Sequence, residues 1–177
     1  MAFDAAYIRS LLRTIPDFPQ KGIQFIDIFP LFQSPAAVKM VIDHIVGHVK
    51  SSISKSIDAV VGLDARGFLF GPLVAQQLGV AFAPVRKQGK LPGNTVQVSY
   101  AKEYGEDIFE MEADSIQAGH NVLIIDDLMA TGGSARAAGE LVKKKGGRVC
   151  TYVFLVELVE LQGVDQLDAP VFSLLKY

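Results

Sequence analysis

Two adjacent carboxylic acids, Asp126 and Asp127, follow the apolar run Val122-Leu123-Ile124-Ile125 and shortly precede the small-residue turn Ala130-Thr131-Gly132-Gly133-Ser134. Two glycines let such a turn curl until several backbone N–H groups converge, and at a helix N-terminus those donors form an anion site. The hydroxyls of Thr131 and Ser134 add further donors. Acids placed directly after a buried run need partners, because an uncompensated buried charge is costly. The hydroxyls of a polyol can be those partners. Phosphate at the turn and hydroxyls at the acid pair together suggest a sugar phosphate. A plain helix cap would account for a lone Gly-Gly, but it leaves the acid pair unexplained. Neither the Gly-x4-Gly-Lys-Ser/Thr spacing of a P-loop nor a Gly-x-Gly-x-x-Gly fingerprint is present, and Lys143, Lys144 and Lys145 fall at the far end of the following helix.

The elements that must carry these groups show in the hydrophobic pattern. Residues 57–63 form a β-branched run suited to a covered strand, residues 68–78 read as a helix capped by Gly79, and residues 80–85 as a second strand. The same order returns as strand 121–125, helix 134–145 and strand 148–156. Strands alternating with helices predict a parallel sheet covered on both faces, with ligands beyond the carboxyl ends of the strands. Between the two units, residues 95–100 alternate and residues 107–111 read as the return strand of an antiparallel ribbon. Near the N-terminus, Ile8, Leu11, Leu12 and Ile15 fall at helical spacing, predicting a helix ended by Pro16. Residues 18–30 read as irregular, with short extended pieces. Ser34 then caps a helix that has Pro35 at its first position and Val38, Val41, Ile42, Ile45 and Val49 on one stripe. The expected fold is therefore α/β: one domain over residues 1–177, with a mostly parallel twisted sheet flanked by helices. A small N-terminal hood (1–34) and an antiparallel flexible ribbon (95–112) complete it.

Composition excludes several classes. Seventeen basic and nineteen acidic side chains leave a net charge of −2, which argues against a dedicated nucleic-acid binder. Half the residues are hydrophobic, so either a membrane segment or a buried interface must be considered. The uncharged stretch 67–85 approaches bilayer length, but Gln76, Gln77, Gly71, Pro72, Gly79 and Pro84 interrupt it. No basic-then-apolar leader is legible, which predicts a cytoplasmic protein without membrane partners. The single cysteine, Cys150, excludes an internal disulfide and reads as a core thiol in a reducing compartment. His44 and His48 are spaced i, i+4 but have no third ligand in the pattern, so they read as a surface pair.

Three further segments carry charge. Asp64-Ala65-Arg66-Gly67 follows a strand and precedes a helix, making a second anion-binding turn at the same sheet edge. Arg86, Lys87 and Lys90 put three cations into the loop ending at Leu91-Pro92-Gly93. Residues 103–114 carry six acids and no base, and most of these acids read as a solvated face of the ribbon.

The acid pair with its Thr131-Gly132-Gly133 turn resembles the signature of the type I phosphoribosyltransferases. The segments 18–28, 62–71, 86–93 and Glu103-Tyr104-Gly105 narrow the likeness to the adenine-specific members, in order and spacing, from about residue 15 onward. That resemblance implies transfer of a phosphoribosyl group from phosphoribosyl pyrophosphate to adenine, giving AMP and pyrophosphate, by a homodimeric purine-salvage enzyme. It implies Mg²⁺ as cofactor, held mainly by the substrate pyrophosphate and not by a dedicated protein metal site. By the same resemblance, Ala130, Thr131, Gly132, Gly133 and Ser134 take the 5′-phosphate, and Asp126 and Asp127 take the ribose hydroxyls. Ala65, Arg66, Arg86, Lys87 and Lys90 serve the pyrophosphate, with Arg86 reaching it across a dimer interface. Phe25 stacks on adenine beside Ile26, a position where many relatives have Arg. Glu103 and Tyr104 belong to a mobile catalytic loop in which Glu103 exchanges a proton with the purine, Tyr104 covers the reacting centre and Gly105 supplies hinge freedom. The signature alone also fits an enzyme for hypoxanthine, guanine, xanthine or orotate, or a non-catalytic sensor of the sugar pyrophosphate.

Overall fold

The computed structural model describes residues 2–101 and 106–177, so Glu103, Tyr104 and Gly105 lie outside the described residues. In chain order the N-terminal elements are α1 (Ala5–Leu11), β1 (Arg13–Pro16), β2 (Gln24–Asp27), a 3-10 turn (Phe29–Gln33) and α2 (Pro35–Ser52). Then come β3 (Ala59–Leu63), a 3-10 turn (Arg66–Leu69), α3 (Gly71–Leu78), β4 (Ala81–Lys87), β5 (Thr95–Ala101) and β6 (Glu106–Glu112). The last are β7 (Asn121–Met129), α4 (Gly133–Lys144), β8 (Arg148–Glu157) and β9 (Val171–Lys176).

Seven strands form one sheet in the order β5-β6-β4-β3-β7-β8-β9. From β4 to β9 all neighbours pair in parallel, and β6 and β5 add an antiparallel ribbon at one edge. Successive strand side chains point to opposite faces, which divides the core in two. Val60, Leu123, Ile125, Val153 and Leu155 pack with α2 and α3, while Val61, Leu63, Ile124, Tyr152 and Phe154 pack with α4. The predicted α/β architecture is observed. Ser34 Oγ accepts the Ala37 N–H with Pro35 in the first turn, and Gly79 closes α3 with φ of 72°.

Several boundaries differ from the sequence reading. The first helix stops at Leu11, and Arg13–Pro16 pairs antiparallel with Gln24–Asp27. Two β-branched residues, Thr14 and Ile15, precede Pro16, whose ring disfavours helical geometry at the residue before it. Helix 68–78 divides into a 3-10 turn and α3, with Pro72 in the first turn, where its missing N–H costs nothing. Cys150 is the extra residue where the β7–β8 register shifts, and is only half-buried with Sγ 3.6 Å from Asn121 Oδ1. Burial raises its thiol above the ordinary range. His44 and His48 are half-buried, and their rings stack on Phe3 and Phe172 at 4.0 and 3.6 Å. Among the described residues no helix is long and apolar enough to cross a membrane.

The β1–β2 hairpin and the turn after it lie within residues 1–34, the segment expected to form the hood. Asp27, at the end of β2, accepts the Phe29 N–H at 3.0 Å and pairs with Arg13 Nε at 3.1 Å. These two donors hold its carboxyl below the ordinary 3.8 despite burial. A depressed carboxyl stabilises the fold above the unfolded value, and that contribution is lost as pH falls through the folded value. Asp27→Asn is therefore expected to cost about 1 kcal/mol at pH 7, Arg13 being largely solvated. Urea melts of the two proteins should converge as pH drops below 3.8 toward the depressed value; a gap independent of pH would contradict this role.

Candidate active site

β3 and β7 are parallel neighbours, but the chain leaves β3 for β4 on one side and β7 for β8 on the other. The sheet order reverses there, opening a crevice at the carboxyl ends of the two strands. The 64–67 turn leaves β3 and the 130–134 turn leaves β7, so both meet at this point. Gly67 allows the close approach: a Cβ there would lie 2.7 Å from the Ile125 carbonyl oxygen. A cavity of 220 Å³ results, lined by Arg66, the acid pair, residues 128–135 and Phe154.

The strand reaches further than predicted. Asp126 and Asp127 lie inside β7, which continues to Met129, paired with Glu157 of β8. Strand alternation separates their environments: Asp127 is 3% exposed and Asp126 is half-buried. Asp126 Oδ1 accepts the Asp127 N–H at 2.9 Å. Arg66 Nε lies 2.9 Å from Asp127 Oδ2, yet no hydrogen-bond donor is aligned on that buried oxygen. Burial, with the charge of its neighbour, pushes Asp126 well above the ordinary carboxyl range. Burial also raises Asp127, against the pull of Arg66. Two raised carboxyls in a crevice mark a site kept ready for a ligand that supplies donors or positive charge.

The turn after β7 is set by one close backbone approach. Gly132 has φ of 86°, and a Cβ on it would sit 2.4 Å from the carbonyl oxygen of Gly163. α4 starts at Gly133 and runs for 12 residues, so its unpaired first N–H groups and positive end face the cavity. Ser134 Oγ lies 3.4 Å from Tyr100 Oη, tying the turn to the ribbon.

Arg66 also connects to the hood. Its guanidinium lies 5.3 Å from the centroid of the Phe25 ring, and Phe18 meets Phe25 edge-on at 5.1 Å. Ile26, the next residue on β2, points the other way: it is 3% exposed and belongs to the core packed with α2. Its side chain is therefore turned from the cleft, and only its backbone is shared with the Phe25 side. Ala65 is exposed and follows a cis peptide at Asp64–Ala65.

The cations, Arg86 and Lys87 at the end of β4 and Lys90 beyond it, are fixed individually. Arg86 Nε donates to Asp64 Oδ2 at 2.8 Å and Nη1 to the Lys90 carbonyl at 3.0 Å. Lys87 Nζ pairs with Asp107 at 3.2 Å, toward the ribbon. Lys90 is exposed, while its N–H donates to Glu110 at 2.8 Å. Glu110 corrects the expectation of a solvated acidic face, because it is 2% exposed under this loop. The acids at 112 and 114 are exposed as expected.

Asp64, Glu110 and Gly163 are functional candidates that sequence reasoning did not assign to the site. Asp64 stands inside the second anion turn, where its contact to Arg86 could have been suspected from opposite charge. Glu110 alternates with buried Phe109 and Met111, a pattern that predicts solvent exposure unless a loop folds over that face. Gly163 lies far from the turn in sequence, and nothing local signals its approach to Ala130.

Residues 31–174 match the family model described as the phosphoribosyl transferase domain. The chain is 52% identical to adenine phosphoribosyltransferase of Yarrowia lipolytica, covering 95% of this chain and 93% of that one. Against the Caenorhabditis elegans adenine phosphoribosyltransferase the identity is 50%, with 96% and 92% covered. The structure of the Saccharomyces cerevisiae enzyme, solved with an imino-altritol bisphosphate and adenine, superposes with a TM-score of 0.94 at 47% identity, covering 96% of this chain and 97% of that one. The Trypanosoma brucei enzyme, in complex with AMP, pyrophosphate and ribose-5-phosphate, superposes with a TM-score of 0.89 at 25% identity, covering 97% and 78%. This chain belongs to the phosphoribosyltransferase family, within its adenine phosphoribosyltransferase branch.

Proposed function

We propose that this chain transfers the phosphoribosyl group of phosphoribosyl pyrophosphate to adenine, releasing AMP and pyrophosphate, as a purine-salvage enzyme. The observation that carries the reading is the convergence, at one switch point, of a helix-N-terminal anion turn, a buried acid pair and an arginine bridging to an aromatic hood residue. The turn 130–134 would anchor the 5′-phosphate on backbone N–H groups with Thr131 and Ser134 hydroxyls. Asp126 and Asp127 would accept the ribose hydroxyls and present negative charge to a sugar that becomes cationic as its bond to pyrophosphate breaks. Fixing both ends of the ribose phosphate places C1′ for in-line attack by a purine nitrogen, so remote binding energy serves the reacting centre.

Adenine would lie on Phe25, in the position now bridged by Arg66, with Ile26 contributing only main chain. Arg66, Arg86, Lys87 and Lys90, with the Ala65 backbone, would receive the pyrophosphate. Glu103 and Tyr104, from the 95–112 ribbon, would act at the purine and over the reacting centre, Glu103 exchanging the proton. The family also implies Mg²⁺. Among the described residues no three His, Cys, Asp or Glu side chains gather into a metal cage. The ion would be held mainly by the substrate pyrophosphate and not by a dedicated protein site, with Asp126 and Asp127 kept for the ribose hydroxyls. Such an ion, when bound, neutralises charge on the pyrophosphate. A cytoplasmic homodimer, with the hood at 1–34 of a single domain, completes the reading.

A pyrophosphate-release assay with adenine, hypoxanthine, guanine, xanthine and orotate tests this function. Turnover is expected with adenine and at most traces with the other bases. Turnover confined to a different base would overturn the assignment.

A further inference from the structure

One buried carboxylate holds the cationic loop after β4 from beneath. Glu110 on β6 stands in register with Arg86 of β4 and Gln97 of β5, and is 2% exposed. Its Oε1 accepts the backbone N–H groups of Lys90 and Leu91 at 2.8 and 2.9 Å. Its Oε2 takes the Thr95 hydroxyl and the Gln97 amide, each at 3.3 Å. Burial alone would raise this carboxyl, but the N–H groups at residues 91, 90 and 89 outweigh it and leave the group below the ordinary 4.5. The carboxylate is thus spent on main-chain and neutral side-chain donors, although Arg86 is its register partner. A second bond continues from there: Arg86 Nη1 donates to the Lys90 carbonyl, and Arg86 Nε donates to Asp64 in the other anion turn. Ribbon, cationic loop and 64–67 turn are therefore joined through Glu110, the Lys90 backbone and Arg86.

We infer that Glu110 is a positioning residue that fixes the backbone at 89–91, so that Lys90 and Arg86 are presented together to the pyrophosphate end of the cleft; this rests on the phosphoribosyl pyrophosphate reading of that cleft. Backbone N–H donors aimed at a fixed anion set the loop's shape without Glu110 itself pairing with the Lys90 or Arg86 side chain. The expected signature is selective. It falls on the pyrophosphate-bearing substrate and leaves adenine binding alone.

The test compares wild type, Glu110→Gln and Glu110→Ala in steady-state kinetics with both substrates varied. Losing charge-assisted bonds to the loop should raise KM for phosphoribosyl pyrophosphate about tenfold in Glu110→Gln and more in Glu110→Ala, with KM for adenine changed by less than about twofold. Lys90→Ala should raise the same KM in wild type and add less than about half that effect in the Glu110→Ala background, because the lysine is already misplaced there. The inference is overturned if both KM values rise together, if only thermal stability falls, or if the Lys90→Ala effect is fully additive. Should Glu110→Ala fail to fold, the Glu110→Gln KM split decides alone. If the wild type shows no turnover with phosphoribosyl pyrophosphate, it is the functional reading that fails. Hydrogen exchange at the Lys90 and Leu91 amides then still decides whether Glu110 fixes the loop: faster exchange in Glu110→Gln supports it, and unchanged exchange refutes it.

Discussion

Asparagine at Asp126 or Asp127 should abolish most of the activity, by about 10²–10³-fold in kcat/KM, while the protein stays folded. Asn keeps the shape of Asp, and at 126 it keeps the oxygen that accepts the Asp127 N–H. What it removes is the charge, and with it the stronger acceptor that ribose hydroxyls and a cationic sugar require. Stability should move the opposite way at Asp126. Burial raises both groups above the ordinary 3.8, and the charge of Asp127 raises Asp126 further. The folded chain then holds protons that the unfolded chain releases at the same pH, so ligand-free stability falls as pH climbs from 3.8 through the raised values. Asp126→Asn relieves that cost and should melt at or above the wild-type temperature at neutral pH. Asp127→Asn should behave likewise, because burial of that carboxyl outweighs the pull of Arg66. Calorimetry across pH 4–8 beside activity assays separates the two effects. Wild-type-like turnover in either variant would remove the acid pair from the mechanism.

Gly132→Ala should be severely damaging to the turn. Its φ of 86° is strained for any L side chain, and the added Cβ would stand 2.4 Å from the Gly163 carbonyl oxygen. That obstacle is backbone, so no rotamer change relieves it. A destabilisation of about 2–4 kcal/mol and a loss of phosphate affinity of about 100-fold are expected, because the converging N–H groups move apart. Gly133→Ala provides the contrast. Its Cβ would meet only the Tyr100 ring at 3.7 Å, an ordinary contact, so its denaturation midpoint should stay near wild type. Equal destabilisation by the two changes would contradict the Gly132–Gly163 approach as the feature that sets the turn.

The legible parts of the molecule were those governed by local periodicity. The β-branched run ending at Leu63, the Ser34-Pro35 cap, the Gly79 terminator and the acid-turn-helix sequence after Ile125 all depend on neighbours a few residues away. The errors came where tertiary packing decides. Ile15 continues the helical period of Ile8, but pairing with Phe25 draws it into a strand. Asp126 and Asp127 read as the residues just beyond a strand, yet β8 extends the pairing through Met129. Glu110 sits in an acidic stretch and is buried only because the 87–91 loop folds across it. Ile26 shows the converse: its neighbour Phe25 turns toward Arg66, and alternation alone sends Ile26 into the core. The predicted roles of Glu103 and Tyr104 rest on the resemblance, since both lie outside the described residues.

The placement of substrate on these residues is tested most directly by a crystal structure of the chain with AMP. The expected result puts the phosphate on the backbone N–H groups of 130–134, the ribose hydroxyls on Asp126 and Asp127, and the adenine ring against Phe25 with Arg66 displaced from it. A phosphate bound at the 64–67 turn, or a base seated away from Phe25, would contradict it.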